Sequence, residues 1–254
     1  MSDKLAAMSP KHLLQLRNLD GGDLDLSVTD PLERTTRYIY DEIFVGRTYV
    51  HPKIIVPDHA TIVDVGANIG LFAIWASREY APQTILAYEA SPTTHDCLVD
   101  NIARYVDGEV TIAACINLAV SREADRELLL HQPPWVAGLS TILDGTTLPW
   151  IEELRGKGEL NTHRVRSTTV SREIVDRGLE HIDLLKIDVE GHFMEVLQGI
   201  DPKDMVKVRN IVLEAEYAET LGHSRDSIAD LLRANGFEVE AQDAAQIMIY
   251  AWRA

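Results

Sequence analysis

Cysteine is nearly missing from this chain: Cys97 and Cys115 are the only two in 254 residues. Two thiols build neither a disulfide framework nor a four-ligand zinc site, and both read as plain core residues. Long apolar runs are missing too. No stretch supplies the ~20 apolar residues of a bilayer-spanning helix, and Met1-Ser2-Asp3-Lys4-Leu5 does not open a secretory signal. A reducing cytoplasm is the expected setting. Positive charge is scarce: 24 Lys and Arg stand against 40 Asp and Glu, a formal net charge of -16. Phosphate backbones and anionic lipid need a basic surface, so neither nucleic acid nor membrane is an expected partner. Internal repeats and low-complexity tracts are absent. What is left, 46% hydrophobic and 25% charged, is an ordinary globular composition, long enough for one large α/β domain.

A further absence bears on ligand choice. Ile62-Val63-Asp64-Val65-Gly66-Ala67-Asn68-Ile69-Gly70-Leu71-Phe72 reads as a buried strand, an acid, a Gly-x-x-x-Gly turn and the start of a helix. A dinucleotide turn reads G-x-G-x-x-G and seats a pyrophosphate on a helix N-terminus. Here the middle glycine is missing and Asp64 sits at the strand tip, where a carboxylate repels phosphate and suits a cation. A second strand, Thr84 to Tyr88, ends on Glu89, placed to accept both hydroxyls of a ribose. A nucleoside with a cationic, phosphate-free tail meets both demands. S-adenosyl-L-methionine carries a sulfonium and an ammonium, and is the expected cofactor.

The rest of the chain alternates strand and helix, which points to a parallel sheet. Residues 1–50 read as a polar and helical lead-in or cover, broken at Gly21-Gly22, with a helix over 31–49; residues 51–254 read as the cofactor-binding domain. Strands are expected at 61–65, 84–88, 109–115, 127–131, 165–170, 182–189 and 210–216, with a terminal hairpin at 237–241 and 247–252. Helices are expected at 69–79, 92–105, 148–154, 171–177, 192–199 and 228–235. Ser91-Pro92 opens one and Gly236 stops another. The predicted architecture is a mostly parallel seven-stranded, Rossmann-like sheet with a C-terminal antiparallel hairpin and helices on both faces. Its ligand crevice lies at the carboxyl ends of the strands, where strand order reverses.

Four segments together resemble the FkbM family of S-adenosylmethionine-dependent methyltransferases. They are Asp64 to Phe72, Glu89-Ala90-Ser91-Pro92, Asn117-Leu118-Ala119-Val120-Ser121, and Leu185-Lys186-Ile187-Asp188-Val189-Glu190-Gly191-His192. Glu42-Ile43-Phe44 with Tyr49 is similar to that family's lead-in. The resemblance covers residues 36–216. It implies O-methylation of a hydroxyl on a small molecule, a secondary metabolite or a sugar. Two positions depart from the family pattern: Phe193 stands where an acid often follows the His, and Val170-Ser171 where a Leu-Asp pair often stands.

The expected cofactor residues are Asp64, Gly66, Asn68, Gly70, Glu89, Ala90, Ser91, Asn117, Ala119 and Asp188. Asn68 either donates to the methionine carboxylate or holds its own turn. Asp188 ends the strand that points at the reacting methyl, and it also suits a helix N-cap. His192 is a candidate general base or a structural helix-start residue, with Glu190 beside it. Tyr38, Tyr40, Ser140, Glu214 and Glu216 are expected on the substrate side, the tyrosines alternatively as plain packing. Lys186 is expected to pair with Asp188 on one strand face. No resident metal is predicted, although Asp188, Glu214 and Glu216 offer hard oxygen ligands for a divalent ion. A nitrogen acceptor, and a non-catalytic docking module of a biosynthetic assembly, are the alternative readings. Oligomeric state is not legible.

Overall fold

A computed structural model describes residues 11–17, 22–29, 33–106, 112–133, 137–143, 147–243 and 247–253. The lead-in opens on a hairpin, β1 (His12–Leu16) paired antiparallel with β2 (Leu24–Val28). This corrects the polar, helical reading of that stretch. Leu16, Leu24, Leu26 and Val28 are buried in the main core. The every-second-residue spacing of the last three was the signal that was missed. Helix α1 (Glu33–Tyr40) then passes into a π-helical segment, Asp41–Val45, closed by Gly46 N–H donating to the Asp41 carbonyl at 2.7 Å. The helix expected to run to residue 49 thus ends early and widens, and Tyr49 leaves it. Residues 31 and 32 of that expectation lie outside the described residues.

The α/β alternation follows with β3 (Thr61–Val65), α2 (Leu71–Tyr80), β4 (Thr84–Tyr88), α3 (Pro92–Tyr105) and β5 (Ile112–Ile116). The expected start of β5, at 109–111, lies outside the described residues. Next come β6 (Ala119–Val120), β7 (Glu127–Gln132), α4 (Pro149–Lys157), β8 (Asn161–Thr168) and α5 (Val170–Asp176). Thr169 accepts a hydrogen bond from Arg172 N–H at 3.0 Å and caps α5, so Val170 begins a helix rather than ending a strand. The chain finishes with β9 (Leu184–Asp188), α6 (Phe193–Gln198), α7 (Pro202–Met205), β10 (Asn210–Glu214), α8 (Arg225–Ala234), β11 (Glu238–Asp243) and β12 (Ile247–Trp252). Strand β10 stops two residues short of expectation, leaving Glu216 beyond its end.

Seven strands form one sheet in the order β11-β12-β10-β9-β3-β4-β5. All pairings from β10 to β5 are parallel, and β12 runs antiparallel to both its neighbours. Strands β6, β8 and β7 form a small separate sheet. The period-two alternation of strand residues splits the core into two layers. Ile62, Ile85, Leu184 and Val212 pack with Leu71, Phe72 and Leu98 on one face. Val63, Leu86, Leu185, Ile211 and Leu213 pack with Ile174, Val196 and Leu232 on the other. The predicted Rossmann-like fold is therefore the observed one. Sequence order runs outward from β3 in both directions, so the switch point lies between β3 and β9.

Candidate active site

The switch point places the carboxyl ends of β3, β4, β9 and β10 side by side, and two joined cavities open there. The first, of about 650 Å³, is lined by Gly66, Asn68, Glu89, Ala90, Leu118 and Ala119 among others. The second, of about 750 Å³, is lined by Tyr38, Glu42, Tyr49, Phe72, Glu214 and Glu216 among others. Gly66, Asn68, Gly138, Asp188 and Glu190 belong to both.

The turn after β3 is built on positive backbone angles. Gly66 has φ +78°, and a Cβ there would stand 1.8 Å from the Asp188 carbonyl oxygen. Glycine at 66 thus lets β3 and β9 end in contact, a requirement of the protein itself. Gly70, at φ +93°, begins α2 with Leu98 Cδ1 2.8 Å from where its Cβ would be. Asn68 adopts φ +50°, which asparagine tolerates better than most residues, and its N–H donates to Glu89 Oε2 at 2.9 Å.

Glu89 sits at the tip of β4. Its other oxygen accepts from Ser91 N–H at 2.8 Å. Each oxygen keeps lone-pair capacity for one further donor from the cavity. Burial pushes its carboxyl up to about 7 against the two backbone donors. Asn117, expected at an adenine edge, instead donates its amide to the carbonyls of Glu89 (2.9 Å) and Ala90 (3.0 Å) and braces that loop. Its neighbours Leu118 and Ala119 line the cavity. Ser91 is fully buried, caps α3 and donates to Gln132 Oε1 at 3.1 Å. Neither Asn117 nor Ser91 reaches the cavity wall.

Asp64 does not face either cavity. It is fully buried, with Lys186 Nζ 3.1 Å from its Oδ1. The carboxylate expected to suit a cation meets the ammonium of the protein's own lysine. The reason is strand alternation: Asp64 and Lys186 face the same layer on adjacent strands, in register. Lys186 also reaches Asp188 Oδ2 at 3.3 Å, as expected, and donates to the Gly66 carbonyl at 2.8 Å. Burial works against its charge, but the Asp64 and Asp188 carboxylates outweigh burial and hold it above the ordinary lysine value.

Asp188 ends β9 at the junction of the cavities and accepts from the Tyr49 hydroxyl at 2.9 Å. Glu190 lies one step on, at φ +20°. Burial first, then the adjoining Glu216 carboxyl, drive its carboxyl well up, so it holds a proton at neutral pH. His192 lines only the first cavity; its Nε2 lies 3.0 Å from Ser121 Oγ, and burial pushes it down to about 4. Ser140 likewise lines the first cavity rather than the second. Tyr38 and Glu216 line the second cavity, as does Glu214. Tyr40 is corrected to a core residue: it is buried and stacks on Phe44 at 4.3 Å. Glu42 and Tyr49, read from the sequence as part of the lead-in, also line the second cavity. The widened π turn carries Glu42 to the cavity, and the early helix end frees Tyr49, neither of which periodicity signals. Gly138 and Thr141 line the first cavity, and Trp135 between them and β7 in sequence lies outside the described residues. Among the described residues, no three His, Cys, Asp or Glu side chains are arranged to hold a metal ion.

The sheet and the paired cavities at its switch point define a ligand-binding fold of the Rossmann-like class. Residues 64–239 match the model of the methyltransferase FkbM domain, and the chain belongs to that family. It is 31% identical to 31-O-demethyl-FK506 methyltransferase FkbM of Streptomyces tacrolimicus, over 81% of this chain and 83% of that protein. It is 33% identical to AMB antimetabolite synthetase AmbE of Pseudomonas aeruginosa over 83% of this chain, and spans only 11% of that much longer protein. Magnesium protoporphyrin IX methyltransferase of Synechocystis, solved with bound cofactor, aligns at a TM-score of 0.46 and 11% identity, over 87% of this chain and 81% of that one. The protein is an S-adenosyl-L-methionine-dependent methyltransferase. Its first cavity fits that cofactor: the wall bears Glu89, Asp188 and Glu190 but no Lys or Arg among the described residues, and Leu118, Ala119, Val120 and Leu130 offer an apolar seat for a base.

Proposed function

We propose that this chain methylates a hydroxyl oxygen of a small molecule, a secondary metabolite or a sugar. The observation that carries the reading is the junction. Asp188 lines both cavities, so a group held in one meets a group held in the other beside a single carboxylate. The hydroxyl acceptor is supported further by the relative whose printed name is an O-demethyl compound's methyltransferase.

When bound, S-adenosyl-L-methionine supplies a methyl already activated on a sulfonium. The protein's task is then placement, with reacting atoms held ~3 Å apart and aligned. In this reading Glu89 takes the ribose hydroxyls, Asn68 and the Gly66 backbone face the methionine end, and Ala90 with Ala119 flanks the base. Asp188 receives the acceptor's proton, a service worth about 10²–10⁴ in rate. Glu190, already protonated, donates a hydrogen bond instead, and His192 serves the cofactor side. Residues 33–50 act as the cover that walls the acceptor cavity through Tyr38, Glu42 and Tyr49.

Tritiated S-adenosyl-L-methionine incubated with the protein and a small-molecule extract tests this. Label in an extractable product, stable to base and with methyl on oxygen by mass spectrometry, is the expected result. Label on nitrogen would move the chain to the second reading, which the carboxyls of Glu42 and Glu216 at the second cavity favour by attracting amines. No transfer to any fraction would leave the docking-module reading.

A further inference from the structure

Tyr49 comes from outside residues 64–239, the span that the family model matches. Its buried ring packs edge-on against Phe72 at 5.3 Å. Its hydroxyl lies between two strand ends, 2.9 Å from Asp188 Oδ2 and 3.2 Å from Glu214 Oε2. A phenol has one hydrogen to give and lone pairs to receive, so it cannot donate to two carboxylates at once. Both short contacts are hydrogen bonds only if one carboxyl carries a proton and gives it to the phenol oxygen. Position decides which. Asp188 is partly exposed at the junction and faces the Lys186 ammonium at 3.3 Å. Glu214 is 4% exposed. Burial, then the charges of Asp188, Glu216 and Glu42, push its carboxyl up to about 9, against the opposing pull of Lys186. Glu190 and the phenols of Tyr38 and Tyr250 also face Glu214, and none supplies a positive charge.

We propose that Tyr49 is a positioning residue: its hydroxyl receives a hydrogen bond from Glu214 and gives one to Asp188, fixing the carboxylate that takes the acceptor's proton. The role rests on the reading of Asp188 above. In the step concerned, the acceptor O–H bond breaks and its proton passes to Asp188. The oxygen–methyl bond forms as the methyl–sulfur bond breaks, and the sulfur keeps the bonding pair. The direction of the chain matters. Once Glu214 ionises, it competes for the Tyr49 hydrogen, and Asp188 loses its orienting donor.

The test compares wild type, Tyr49→Phe and Glu214→Gln as full-length proteins. S-adenosylhomocysteine affinity is read by calorimetry, and initial rates with tritiated donor and extract are read from neutral pH to about 10. Tyr49→Phe is expected to bind S-adenosylhomocysteine as wild type does while kcat falls about 10- to 100-fold. Glu214→Gln keeps an N–H donor toward Tyr49 and cannot ionise. Its profile, scaled to its own maximum, is expected to lose the alkaline fall that wild type shows near pH 9. A wild-type kcat in Tyr49→Phe, an alkaline fall unchanged in Glu214→Gln, or lost S-adenosylhomocysteine binding in Tyr49→Phe would each overturn the proposal. If wild type itself methylates nothing, the parent reading fails separately. The infrared carbonyl intensity of protonated carboxyls, expected at neutral pH to be lower by one group in Glu214→Gln than in wild type, then decides the hydrogen-bond chain, and an intensity unchanged by that substitution overturns it.

Discussion

Lys186 Nζ lies 3.1 Å from Asp64 Oδ1, with neither side chain more than 3% exposed. The acid of the glycine-turn motif is thus neutralised inside the sheet, and its ammonium partner also bridges to Asp188. Breaking such a pair strands a buried charge, at a cost of about 3–5 kcal/mol. Lys186→Met should lower unfolding free energy by that amount in urea titrations. Lys186→Met with Asp64→Asn should recover a large part of it. A single-mutant loss under ~1 kcal/mol would show that the pair is not what closes this layer.

Gly66→Ala should be among the most damaging small substitutions in the chain. The added methyl would meet the Asp188 carbonyl at 1.8 Å, in a left-handed backbone. Strain and overpacking together come to about 2–5 kcal/mol. Gly70→Ala should cost less, since its nearest neighbour is the movable end of Leu98. Melting temperatures of the two variants check the order, and a Gly70 variant less stable than the Gly66 one would reverse it.

Cofactor and acceptor contacts should separate by mutation. Glu89→Gln removes a charge-assisted acceptor for ribose, worth about 1.5–3 kcal/mol. S-adenosylhomocysteine binding should weaken roughly 10- to 150-fold by calorimetry. Tyr38→Ala and Glu42→Gln touch only the second cavity. They should alter the acceptor's KM and leave S-adenosylhomocysteine affinity within about twofold. Equal losses of cofactor affinity in all three would erase the two-cavity division.

Stability should depend on pH through the acidic side of the site. Glu214 keeps its proton in the folded chain to about pH 9, whereas an unfolded glutamate loses it near 4.3. Its folded value is raised, so its contribution is complete below the unfolded value and is lost as pH rises toward 9. The slope is about 1.4 kcal/mol per pH unit. Between pH 7 and 9, where His192 no longer titrates, wild type should lose stability relative to Glu214→Gln. Parallel stability curves for the two proteins over that range would contradict the placement of the Glu214 proton.

The catalytic frame was legible where local pattern and burial agree. The strands ending at Asp64, Glu89, Asp188 and Glu214 were visible as apolar runs closed by an acid, and the sheet followed from their alternation with helices. What sequence could not show is which way each acid points. Asp64 and Asp188 both read as ligand-facing strand ends. One is buried under the sheet's own lysine and the other is open, a difference set by neighbouring strands in register. Asn117 and Ser91 read as cofactor contacts because they sit at the right strand ends; tertiary hydrogen bonds turn them into braces. Glu42 reads only as part of the lead-in because a π turn shifts the face it presents, which a 3.6-residue period cannot encode, and the place of Tyr49 between Asp188 and Glu214 comes from the tertiary fold.

The most direct test is a crystal structure of the chain grown with S-adenosylhomocysteine. Its ribose hydroxyls are expected on Glu89, its base against Leu118 and Ala119, and its sulfur turned toward Asp188 at the mouth of the second cavity. Electron density for the nucleoside in the cavity of Tyr38, Glu42 and Tyr49, or a sulfur pointing away from Asp188, would contradict it.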